Sequence, residues 1–358
     1  MNNRTEKTKI SLFPYNHEAD IMCRFKEELA DFDIHTVISY QGNRLDNMNL
    51  RRGILYTDDA KSALIGSEGI VLCDNVQKLG KKAYLNRLED AADCKKTVYT
   101  SSYLYNWLEE DSFRNNEVII LNNDIETSLH PSRSLLEIEC PVLSVLGMGE
   151  NCDKFALLLS MRRCLKNKGY KVLAISANPL AKLMGCETFP AYLFESNLSI
   201  VEKIIKINHY IYELVKNQEP DIVLISHASG FMTLNDYEYN YFGEISYILS
   251  NAVVSDYGVV CTYYEKNYTK EYFEDLKALC KMRLGIDVLC FYVSNQAYKT
   301  NVESKKIDYH FYDKKFCEEN FPSDLHNERK IVTPEQRDRI ESVVDEIIGL
   351  LSDSPEII

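Results

Sequence analysis

The chain has no C-x-x-C pair, although it carries 11 cysteines in 358 residues. They stand singly from Cys23 to Cys317, so zinc-ribbon and iron–sulfur sites lack their ligand spacing, and no metal site is expected. Cys73, Cys261 and Cys290 fall inside apolar segments, where a thiol serves as a small core hydrophobe. No apolar run approaches the ~18 residues a membrane span needs. The polar opening, MNNRTEKTKI, has no signal-peptide pattern, and the expected setting is a reducing cytoplasm with no membrane partner. G-x-G-x-x-G after the first strand, G-x-S-x-G and H-E-x-x-H are all missing, which removes the signatures of dinucleotide binding, serine hydrolysis and zinc proteolysis. Positive charge is short: 41 Lys and Arg face 54 Asp and Glu, a net charge of −13. Such a surface repels polyanions, so nucleic acid is not an expected partner. The 24 tyrosines, 14 phenylalanines and one tryptophan are dispersed along the chain rather than set as a stacking platform.

What is present is alternation. Apolar strands (Ile10–Pro14, His35–Ser39, Gly69–Cys73, Lys96–Tyr99, Glu117–Leu121) are interleaved with amphipathic helices (Glu18–Ala30, Lys81–Cys94, Leu104–Glu110). The pattern resumes with Val142–Leu146, Lys171–Ser176, Ile222–Ser226, Tyr257–Thr262 and Ile286–Val293, again separated by helices. This predicts an α/β protein of two doubly wound parallel-sheet domains. Polar residues follow the strands: Asn16, Asp74, Ser101 and Asn122 among them. They are common turn and cap residues, and a pocket beyond strand ends is the other reading. The polar stretch NNDIETSLHPSR, Asn122–Arg133, is the best linker. The division expected is a Rossmann-like domain over 1–137 and a second domain over 138–358. The final helix is expected to start at Thr333-Pro334-Glu335.

The segment PVLSVLGMGENCDKFALLLSMRRCLKNKG, Pro141–Gly169, reads as buried strand, glycine-bearing turn and helix. That is the plan of a phosphate-binding loop, in which backbone N–H groups at a helix start cradle an anion. Gly147 and Gly149 are expected to allow positive φ and close approach. Lys154 stands at the helix start, where a cation opposes the helix dipole unless an anion sits there. The chemistry is altered from G-x-x-x-x-G-K-[ST]: Asp153 precedes the lysine and Phe155 replaces the hydroxyl residue that holds Mg²⁺. Cys152, at the predicted helix start, is the most exposed to a field that lowers a thiol's pKa. The strand PDIVLI runs into Ser226-His227-Ala228-Ser229-Gly230 with no acid at its end. His227 is the candidate general base, with Asp236 and Glu238 further along the loop. Asn295, after a late strand, is either a turn residue or a reader of a nucleotide base.

The stretch CPVLSVLGMGENCDKFALLLSMRRCLKNKGYKV, the segment Cys186–Tyr192 and NHYIYELVKNQEPDIVLISHASGFM together resemble the clostridial peptide maturation system proteins. The resemblance covers most of the chain. It implies an accessory protein acting in the maturation of a ribosomally synthesised modified peptide, with a precursor peptide and a radical-SAM maturase as candidate partners. More distantly, the second domain is similar to P-loop NTPases of the dethiobiotin-synthetase and MinD type. That likeness implies a degenerate P-loop fold with a nucleotide as the candidate cofactor. The expected ligand-binding set is Gly147, Gly149, Asn151 and Lys154, faced by His227, Ser229 and Gly230. The alternative is an active NTP-dependent maturation enzyme, of ligase or activating type, with a variant loop.

Overall fold

The computed structural model describes residues 7–40, 53–74, 79–122, 134–325, 328, 330–333 and 337–352. The chain divides into two compact units, residues 1–125 with 178–191, and residues 126–177 with 192–358. Of the expected linker, residues 123–133 lie outside the described residues. Nothing in the strand–helix alternation signals the excursion 178–191.

The first unit holds β1 (Thr8–Phe13), α1 (His17–Arg24), β2 (Phe32–Ile38), β3 (Leu55–Thr57), α2 (Ala60–Ile65), β4 (Gly69–Leu72), α3 (Lys81–Asp93), β5 (Thr97–Thr100), α4 (Ser102–Leu108) and β6 (Val118–Ile120). Its strands pair in parallel in the order β3-β2-β1-β4-β5-β6. The order reverses between β1 and β4, which is the doubly wound arrangement expected. β4 is apolar and buried throughout, and β1 is buried from Ile10 to Phe13, because both sheet faces are covered there. Phe13, Ile38, Leu72, Tyr84 and Val98 share one core cluster. The Tyr84 hydroxyl reaches the Cys73 carbonyl at 2.9 Å, so its buried oxygen is satisfied. The polar residues after the strands act as caps here. Asn16, Asp59 and Ser101 accept the N–H groups of Ala19, Ser62 and Leu104, and Asn122 holds Ser102 through two hydrogen bonds.

The second unit begins with β7 (Val142–Gly147), α5 (Lys154–Asn167) and β8 (Val172–Ser176); β9 (Glu187–Thr188) lies in the excursion. It continues with α6 (Ile200–Gln218), β10 (Ile222–Ser226), α7 (Glu244–Ala252), β11 (Tyr257–Thr262), α8 (Lys270–Leu284) and β12 (Val288–Val293). A hairpin, β13 (Gln296–Asn301) and β14 (Lys306–Phe311), precedes α9 (Lys314–Glu319), β15 (Ile331–Val332) and α10 (Arg337–Ser352). The parallel order in this unit is β15-β12-β11-β7-β10-β8. The fully buried β7 stands between β11 and β10, so the loops leaving those three strands emerge side by side. α6 opens on a reciprocal cap between Ser199 and Glu202. Residues 334–336 of the expected α10 start lie outside the described residues. β13 lies outside the expected strands: the polar QAYKTN pairs antiparallel with β14. A hairpin with one open face needs no apolar run.

Candidate functional site

The turn between β7 and α5 is built without a side-chain cap. Asp153 occupies the position before the helix, and its carboxylate accepts no N–H of the first turn. Asn151 and Asp153 both take left-handed backbone, at φ 54° and 67°. Gly147 and Gly149 do not, which corrects the expectation that the glycines supply the positive φ. Their contribution is the other one expected, closeness. A Cβ on Gly147 would stand 2.5 Å from Cys152 Sγ and 2.6 Å from Lys154 Cδ. Left-handed residues at alternating positions turn successive N–H groups toward one side, the geometry of an anion nest. Among the described residues, no protein acceptor takes up the N–H groups of Gly149 through Cys152 or of Lys154 through Ala156. The last three are the ordinary orphans of a helix start. The first four extend the unsatisfied arc back into the turn.

Lys154 anchors the inner side of this arc. Its ammonium donates to the Gly149 carbonyl, and to the Ser229 carbonyl at 2.7 Å. The half-buried side chain therefore ties the β7 turn to the loop after β10. Cys152 Sγ donates to the same Gly149 carbonyl at 3.1 Å. Burial pushes the Cys152 thiol above its ordinary value, and the Lys154 charge only partly opposes that. Cys152, expected to sit in a field that lowers its pKa, is thus a buried fastener. Asp153 is 3% exposed, and Gln296 Nε2 points at its Oδ1 from 3.4 Å. A carboxylate stands within the turn where a phosphate loop has glycine.

The loop after β10 supplies the rest. Ser229 is left-handed at φ 55°, which turns its carbonyl to Lys154. Gly230 packs so closely that a Cβ would meet the Met148 carbonyl at 2.4 Å. The structure thus brings Ser229 and Gly230 to the turn, with Gly147, Gly149, Asn151 and Lys154. His227 goes elsewhere. Its Nε2 lies 3.0 Å from Ser144 Oγ, which is 2.7 Å from Ser255 Oγ, all three residues buried. Burial first, and the Lys154 charge second, lower the His227 pKa to about 3. A neutral imidazole, 1% exposed and hydrogen-bonded to Ser144, braces β7 away from solvent. The general-base expectation for His227 is corrected accordingly. Glu238 accepts the Asn240 N–H at 3.1 Å, so it braces the loop, while Asp236 is exposed. Asn295 donates to the Tyr312 carbonyl at 2.7 Å and closes the hairpin instead of facing a base.

Sequence reasoning missed Asn240 and Tyr263. Asn240, 1% exposed, donates to the carbonyls of Met148 (2.9 Å) and Met232 (2.8 Å) and accepts from Ser229 Oγ at 3.1 Å. It stitches the β7 turn to two parts of the β10 loop. Tyr263, after β11, donates its hydroxyl to the Glu150 carbonyl and packs against Tyr298 and Tyr309 of the hairpin. Neither residue lies in a motif. Only the polar loop NDYEYN hinted that some asparagine there has a job.

No family model matches this chain, and no curated protein matches it. Solved structures do. A DUF1611 family protein from Anabaena variabilis superposes with a TM-score of 0.62 at 11% identity, covering 95% of this chain and 100% of that one. A cobyrinic acid a,c-diamide synthase from Mycobacterium smegmatis with bound ADP and magnesium gives 0.34 at 10% identity, over 60% of this chain and 96% of that one. A GTPase from Pyrococcus abyssi in its apo form gives 0.33 at 14% identity, over 60% and 98%. The first likeness extends over both units, and what it establishes is a shared two-domain α/β fold.

Proposed function

We propose that the second unit binds a phosphate-bearing ligand in the turn 149–156, without robust hydrolysis. The protein would act as an accessory in the maturation of a ribosomally synthesised modified peptide. The observation that carries the binding reading is that, among the described residues, the N–H groups of Gly149 through Cys152 and Lys154 through Ala156 have no protein acceptor, along a turn laid out by left-handed Asn151 and Asp153. Lys154 lies close enough to turn from two carbonyls to an arriving oxyanion. The residues around the turn fit a nucleotide's phosphates but supply little for phosphoryl transfer. Phe155 has no oxygen for Mg²⁺, β10 ends in serine and is followed by a buried histidine, and no cluster of metal-ligating side chains forms among the described residues. The peptide pathway is supported by the sequence resemblance, with a precursor peptide and a radical-SAM maturase as the partners to test.

Calorimetric titration with tripolyphosphate, ATP and GTP, each with and without Mg²⁺, tests the binding reading. Saturable binding that Lys154→Ala weakens at least tenfold is expected, with phosphate release near the uncatalysed background. Silence toward every polyphosphate would end it, and rapid turnover would replace it by the NTP-dependent enzyme. Co-expression with a tagged precursor peptide tests the pathway, the expected result being stoichiometric co-purification.

A further inference from the structure

Next to the anion turn lies a short segment with two unusual properties. Asn240, Tyr241, Phe242 and Gly243 are all left-handed, at φ 49°, 50°, 53° and 76°. Bulky L-residues avoid that region, and they hold it only where the surroundings over-determine it. Here they do: Asn240 is fixed by its buried carboxamide, Arg283 donates to the Phe242 carbonyl, and a Cβ on Gly243 would meet the Phe231 carbonyl at 2.4 Å. What the strained turn presents is aromatic surface. Tyr241 and Phe242 are 59% and 65% exposed, and Tyr239 stacks on Phe242 with ring centroids 5.1 Å apart. An ordinary surface turn gains nothing by holding such rings in water on a strained backbone.

The position narrows the occupant. The Asn240 carboxamide touches the Met148 carbonyl, and its Oδ1 stands 3.4 Å from where a Gly149 Cβ would be. Phe242 is two residues on, at most about 7 Å along the chain. A second aromatic group near the turn, Tyr263 with Tyr298 and Tyr309, is packed on itself. Tyr239 is 49% exposed, more open than buried Tyr263 and half-buried Tyr298 and Tyr309, and Tyr241 and Phe242 are more open still. We propose that Tyr239, Tyr241 and Phe242 form the stacking platform for the planar base of a nucleotide whose phosphates lie in the turn 149–156. The inference rests on the anion-binding reading of that turn and names its ligand class. Stacking tolerates any base, so the platform selects nucleotides over bare polyphosphate more than one base over another.

The test compares ATP and GTP with tripolyphosphate on the full chain. Wild-type protein binds both nucleotides about tenfold or more tighter than tripolyphosphate. Tyr241→Gly with Phe242→Gly removes that preference and leaves tripolyphosphate affinity unchanged. The melting temperature of this variant is unchanged or higher, because glycine accepts the left-handed backbone. Phe242→Tyr keeps the preference. Lys154→Ala weakens all three ligands together. Equal affinity of wild-type protein for nucleotide and tripolyphosphate overturns the platform alone, as does an unaltered preference in the double-glycine variant. Failure of wild-type protein to bind any of the three overturns the anion reading and the platform with it.

Discussion

The turn from β1 to α1 and the turn from β7 to α5 join the same kinds of element and treat the backbone in opposite ways. After β1, Asn16 accepts the Ala19 N–H with its side chain, and the Asp20 N–H returns to the Asn16 carbonyl. Glu18 and Asp20 fill the first helical turn with negative charge, which suits the dipole with no help from a ligand. After β7 there is no side-chain cap, a lysine stands at the first helical position, and among the described residues the N–H groups of Gly149 through Cys152 have no protein acceptor. The first turn is complete in itself. The second leaves those groups open, and the proposed anion would fill them. A parallel strand feeding a helix is therefore not a site by virtue of its fold. What would make one is a helix start left open and surrounded by supports.

The strongest way to break the contrast is to charge the support. The His227 pKa is lowered to about 3 from an ordinary 6.5. Between those values the unfolded chain holds a proton that the folded chain excludes. Stability contributed by the neutral ring is thus full above pH 6.5 and falls with pH, by at most about 1.4 kcal/mol per unit, until about pH 3. Denaturant unfolding of the second unit followed from pH 7 to 4 should show this slope, and His227→Gln should flatten it. Next is Asn240→Ala. It strands the carbonyls of Met148 and Met232 and the Ser229 hydroxyl, at a cost of roughly 2–4 kcal/mol, and polyphosphate affinity should fall with it. Lys154→Met should cost about 1–3 kcal/mol, since it removes charged donors from two carbonyls. A stability gain would mean that the ammonium is strained there.

Asp153→Gly sharpens the comparison in the other direction. It relieves a left-handed non-glycine residue by about 1 kcal/mol and removes a negative charge from the turn, so polyphosphate should bind about tenfold tighter. Weaker binding in a titration would show the carboxylate to be part of recognition. The smallest effect belongs to the first unit. Asn16→Ala should cost about 1 kcal/mol of stability and leave polyphosphate binding untouched.

Much of this was legible beforehand because the controlling forces are local or periodic. The near-continuous apolar strands ILSV-type in character, such as Val142–Leu146 and Ile222–Ser226, sit within one residue of their observed bounds. The hairpin strand Gln296–Asn301 was not legible, because its polar sequence is held by pairing with β14. Among site residues, Gly147, Gly149, Asn151 and Lys154 were marked by adjacency. His227 was misjudged because a histidine in a loop can face either way, and only the position of Ser144 on β7 decides which.

By itself, the sequence determined that this chain folds as two parallel-sheet α/β units and that a glycine-bearing turn meets a lysine-led helix in the second. Alternation of apolar runs with amphipathic periods is enough for that, since burial acts on composition and spacing. Only the tertiary structure decided which polar groups are used and which are left over. Asn240 reaches Met148 across 92 positions of chain, and Lys154 reaches Ser229 across 75. Hydrogen bonds over such separations depend on which loops the sheet order sets side by side, and that order is a property of the folded whole.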